Sequence, residues 1–205
     1  MTSPVPIGIL PQYVAFYLEG MLFCTDAGLR AAEEVRAALD LGAQHAPNTD
    51  EWYESSLAIV NGVQSLAQNA AAVSRYLWPS GKKSAHIARG QRLLEGLGIP
   101  DDSPLKDRHL RNCLEHFDER LDHFCNTLLA GRILPTYVGP VGPTPEIPTF
   151  LFRAYYTDVA VFEILGERVQ MQPILDALRE LHDRLIDCSL NGGGFSRNSS
   201  PPTGA

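Results

Sequence analysis

Three polar side chains stand at fixed steps in the stretch 110–120: Arg111, Asn112 and His116. A histidine titrates near neutral pH and can pass a proton. An arginine keeps its charge and grips phosphate with a planar fork of donors, and an asparagine offers a donor and an acceptor to orient either one. At about 100° per residue of an α-helix, Asn112 and His116 lie roughly 40° apart, on one face. Arg111 and His116 diverge by about 140°. One helix therefore cannot easily aim both at one phosphate.

Other constellations lead less far. His109, His116 and His123 recur every seven residues, with Cys113 between the first two. A structural zinc site takes four ligands from more than one element, and His182, on a distant helix, has no ligand partner near it. These histidines read as the polar edge of a helix contact, so no metal or cofactor is expected. The carboxylates Glu115, Asp118, Glu119 and Asp122 read as a solvated face paired with Arg111 and Arg120. Asn191 and the three glycines after it follow a helix and lack a Lys-Ser/Thr partner, so they are not a phosphate loop. Trp52, Trp78 and the Tyr155-Tyr156 pair read as core or interface aromatics.

The run Arg111-Asn112-x-x-x-His116, inside a long amphipathic helix, resembles the Arg-x(4–6)-His signature of HEPN domains, which are small all-α bundles. The resemblance covers this one helix, and Asn112 is the most characteristic occupant of its position. It implies metal-independent RNA cleavage by a homodimer that shares the site between two such helices. His116 is then the base, Arg111 the phosphate clamp and Asn112 the orienting group. It also implies a defence or toxin role beside a small nucleotidyltransferase-like antitoxin partner. Many HEPN-like domains act in binding or assembly only. The alternative is therefore a non-catalytic interaction or oligomerisation module, in which Arg111 pairs with Glu115 or Asp118 and His116 is a half-buried structural residue.

The charge distribution bears on RNA. The chain carries a formal charge of −7 over 205 residues, a poor generic nucleic-acid binder. Residues 75–111 nevertheless hold eight basic side chains against four acidic ones, which leaves −11 for the rest. This window reads either as an ordinary solvated face or as a local anion-binding surface, the latter with Lys82, Lys83, Arg89, Arg92 and Arg108 as candidate phosphate contacts. No apolar run reaches the ~20 residues of a membrane helix, and no basic stretch precedes an apolar one near Met1. Four cysteines without a Cys-x-x-Cys pair fit reduced thiols, so a cytoplasmic location is expected.

The positioning elements follow from periodicity. Apolar residues at three- and four-residue steps predict helices over 12–41, 50–77, 83–97 and, from the Ser103-Pro104 cap, about 103–128. In the last of these Leu110, Leu114, Phe117, Leu121, Phe124 and Leu128 form one stripe, read as the core seam of a bundle. Residues 131–148, with five prolines, read as an extended connection. Residues 150–171, rich in aromatic and β-branched types, read as a small antiparallel element of two or three strands, turning at Gly166-Glu167. Pro173 opens a last helix to Cys188. The fold expected is thus mainly α: a single domain over 1–190, with about four long helices, a short one and a β element before the last helix. An irregular lead-in and a disordered tail over 191–205 complete it.

Overall fold

The computed structural model describes residues 9–195, apart from 82, 108–111, 113, 115, 128, 129, 144 and 145. Two long helices, α1 (Val14–Gly42) and α2 (Asp50–Leu77), form the frame. The loop between them is short, so α2 runs back along α1. Thr49 Oγ1 accepts the Trp52 N–H at 3.2 Å, and Asp50 and Glu51 sit at the positive end of the helix dipole. A third helix, α3 (Ser84–Leu97), ends at Gly98 with φ +61, and the Ile99 N–H returns to the Leu94 carbonyl at 3.0 Å. That is the left-handed stop glycine makes cheaply. These bounds agree with the helical spacing to within two residues.

The final helix, α5 (Met171–Leu190), lies against α1 and α2 and buries Ile174, Leu178, Leu181 and Leu185. Its Arg184 ties it to the end of α3 by donating to the Leu97 carbonyl at 2.7 Å. The Thr25 hydroxyl on α1 donates to the Leu22 carbonyl and lies 3.0 Å from His182 Nδ1 on α5.

Two expectations are corrected. First, Ser103-Pro104 does not start a long helix. Ser103 Oγ accepts from Leu105 in a short 3-10 turn, Pro104–Lys106, and Asp107 then turns to ψ 113. Helical backbone is seen again at Asn112 and Leu114, and α4 spans Phe117–Thr127. No residue of α4 is fully buried. Its apolar stripe packs on the sheet, with Phe117 edge-on to Phe152 at 5.6 Å and Phe124 to Phe150 at 6.3 Å. Periodicity reveals an apolar face but not what covers it.

Second, the β element is larger and mixed. The strands β1 (Arg132–Gly139), β2 (Thr149–Tyr156), β3 (Val161–Ile164) and β4 (Glu167–Gln170) form one sheet in that order. β1, read as a proline-rich connection, pairs parallel with β2, and the other two pairings are antiparallel. Pro135 is tolerated because β1 is an edge strand. Nine residues, 140–148, return the chain to the start of β2. The turn between β3 and β4 is Leu165-Gly166, with φ +51 and +82, rather than Gly166-Glu167. Both central residues are left-handed, as a two-residue hairpin requires.

β3 is buried along its whole length. Phe162 and Ile164 join the main helical core, while Val161 joins a second cluster with Ala154 and Tyr156. The first residues of the expected tail are ordered against α3: Phe195 stacks under Arg92, with 5.3 Å from ring centre to Cζ. Residues 1–8 and 196–205 lie outside the described residues.

Candidate functional site: a cationic cleft where three helices meet

The Arg111-to-His116 segment is partly outside the described residues, which exclude Arg111, His109 and Cys113. Asn112 and His116 are both exposed, and the His116 N–H donates to the Asn112 carbonyl at 3.2 Å. They therefore sit one helical turn apart on an open face, as the spacing required. His116 Nδ1 lies 3.6 Å from Glu119 Oε2, with both side chains more than half exposed. The alternative of a half-buried structural His116 is not what is found. Among the described residues no group of three or more His, Cys, Asp or Glu side chains could hold a metal ion.

The basic window is gathered elsewhere. The break at Pro79-Ser80-Gly81 lets α3 fold over the last turn of α2. Packing there is tight: a Cβ built on Gly90 would stand 2.5 Å from the Leu77 carbonyl oxygen and 2.9 Å from Pro79 Cδ. Only glycine admits that approach. The two helix ends and Cys24 of α1 enclose a cleft of about 580 Å³, lined among others by Arg75, Tyr76, His86 and Arg89. Among the described residues no acid lines it.

Arg89 is held in place. It donates to the Arg75 carbonyl at 3.0 Å, one of the last-turn carbonyls that α2 cannot satisfy itself, and lies over the Tyr17 ring at 5.9 Å. Its Nε is buried without a protein acceptor. Cys24 faces the same cleft. Burial pushes its thiol above the usual range, and the nearby Arg75 charge offsets this only in part.

The helix α1, which lends Cys24 to the cleft, also carries two phenylalanines in the open: Phe16 is 73% exposed and Phe23 is 71% exposed. Gly20 lies between them in the chain and comes against the Tyr76 hydroxyl, at 2.8 Å from a built Cβ.

Of the expected phosphate contacts, Arg89 lines the cleft and Lys83 is exposed at the start of α3. Arg92 is turned to Phe195 instead. Lys82 and Arg108 lie outside the described residues. Arg75, Tyr76, His86 and Cys24 were not among the expected site residues. The available signal was the helix break after Trp78, which places the end of one helix beside the start of the next. Neither Asn112 nor His116 lines this cleft. Among the described residues no helix is long and apolar enough to cross a membrane. Compared with protein-family models, curated proteins and solved structures, the chain matches none of them.

Proposed function

We propose that this protein binds single-stranded RNA across the α1–α2–α3 cleft. The observation that carries the reading is the convergence of Arg75, His86 and Arg89 on one cleft that no described acid lines, on a molecule whose α1 leaves Phe16 and Phe23 more than 70% exposed. Single strands are held by cations that follow the backbone and by rings on which bases stack. On an acidic chain, a cleft that presents cations favours such binding there over the rest of the surface. The HEPN-like segment supplies the RNA class and adds a chemical role. Asn112 and His116 are open on one face, so a homodimer can bring two such faces together. His116 is the base in that reading, with Arg111 as the clamp.

The test is binding of a labelled oligouridine, followed by anisotropy, with a cleavage assay in EDTA alongside. Arg75→Ala and Lys83→Ala are each expected to weaken binding about tenfold, the worth of one charged contact (~1.4 kcal/mol). His116→Ala leaves binding intact and removes any cleavage. Wild-type binding that is unchanged in both Arg75→Ala and Lys83→Ala contradicts the reading.

A second reading is the non-catalytic interaction module, which the exposed Phe16 and Phe23 also favour. It predicts that Phe16→Ser with Phe23→Ser changes the mass in light scattering while RNA has no effect at all.

A further inference from the structure

The sheet face turned away from the helices carries a second site, independent of the RNA reading. One row of cross-strand neighbours runs Tyr137, Ala154, Glu163, Arg168 over β1 to β4. Ala154 is fully buried, packed with Tyr156, Val161, Tyr137 and Leu151. Against Tyr137, Glu163 and Arg168 of this row lies a hollow of about 420 Å³, walled on another side by Val141, Gly142 and Pro143 of the proline-rich crossover. Two bonds fix that wall: the Tyr137 hydroxyl donates to the Pro140 carbonyl at 2.7 Å, and the Val141 N–H donates to Asp158 Oδ1 at 3.0 Å.

At one end of the hollow sits a carboxylate with only 8% of its side chain exposed, Glu163. Its Oε2 accepts from Arg168 Nε at 2.6 Å and from the Tyr156 hydroxyl at 2.9 Å. Arg168 Nη2 also reaches the Tyr156 hydroxyl at 3.3 Å, and the guanidinium lies 5.1 Å from the centre of the Tyr156 ring. Arg168 is thus clamped on one edge, yet 61% of its side chain is exposed. The far edge of its fork carries donors that nothing described here engages. Glu163, nearly covered and twice bonded, is an orienting group; Arg168 is the group an incoming molecule meets. The remaining walls are mostly aromatic or aliphatic, from Tyr137, Leu134 and Leu151, with the polar Thr149 among them.

We propose that this hollow binds a small aromatic carboxylate, its anionic end on the outer edge of Arg168 and its ring against Tyr137 and Tyr156. A planar fork suits a carboxylate, and a concave apolar wall of this volume suits a ring of drug-fragment size. Charge sign separates this from the opposite assignment. If Glu163 were the anchor, an amidine would bind better than a carboxylate.

The experiment titrates benzoate, benzamide and benzamidine, three molecules of nearly one shape, into the ¹⁵N-labelled full chain. Benzoate is expected to shift the amides of Val141, Gly142, Glu163 and Arg168 saturably, at least tenfold more tightly than benzamidine. Arg168→Lys keeps a cation beside Glu163 but loses the fork, and weakens benzoate at least tenfold. Arg168→Met with Glu163→Gln, which leaves no unpaired buried charge, abolishes it. Benzamidine binding as tightly as benzoate, equal binding in Arg168→Lys, or no shift of these amides by any of the three overturns the proposal.

Discussion

At the scale of single residues, position decides which charges are available for function. Arg89 caps α2 and leans on Tyr17, so it shapes the cleft as well as charging it. Cys24, in the same cleft, is held as a thiol by burial, and a thiol reacts slowly because the thiolate is the nucleophile. Iodoacetamide at pH 8 is therefore expected to modify the exposed Cys125 about ten times faster or more than Cys24, read by peptide mass spectrometry. Tyr155 and Tyr156 make a pH prediction. Burial raises both phenols, and at Tyr156 the bond to Glu163 and its charge add to the shift. A raised value in the fold means that stability is complete below the ordinary phenol value of about 10 and is lost as pH rises through the folded value. Urea melts should thus show stability falling above pH ~10, and Tyr155→Phe should make that fall shallower. The sequence exposed some of these residues and hid others. Lys83 and Arg89 stood out from a charge count. Glu163 did not, because one acid between Phe162 and Ile164 looks like an ordinary solvent-facing strand position until Tyr156 and Arg168 are brought to it across two hairpins.

At the scale of elements, helices with local signals were legible and contacts between distant segments were not. Thr49 and Gly98 mark helix ends by bonds within a few residues, and spacing located α1, α2, α3 and α5. β1 escaped because its partner lies across a crossover and its prolines argue against a strand. The stripe of α4 was read correctly as apolar, but its cover is a sheet. The α2–α3 junction gives the sharpest test at this scale. Alanine favours helix over glycine by about 1 kcal/mol, yet at Gly90 a methyl group would meet the Leu77 carbonyl oxygen at 2.5 Å. Overpacking of that kind costs ~1–3 kcal/mol. Gly90→Ala is expected to lower the melting temperature and weaken RNA binding together. A rise in melting temperature with binding unchanged would mean that the junction has slack.

At the scale of the whole molecule, one core joins α1, α2, α3 and α5 to the inner face of the sheet. Leu178, fully buried in it, should cost ~2–5 kcal/mol on Leu178→Ala, measured by denaturant melts. The helical frame sets the cationic cleft on one side, while the outer sheet face carries the hollow over Glu163 and Arg168. Charge is as uneven as the shape: a formal −7 overall, with a positive surplus confined to 75–111. Binding of RNA through about three phosphate contacts gives a log–log salt slope near −2. The measurement that tests the central claim most directly is the footprint of an oligouridine on the ¹⁵N-labelled full chain. The account predicts saturable shifts at Cys24, Tyr76, Ser80, Gly81 and His86, around the cleft. Shifts confined to the Asn112–His116 face or the outer sheet, or none at millimolar oligonucleotide in low salt, would contradict it.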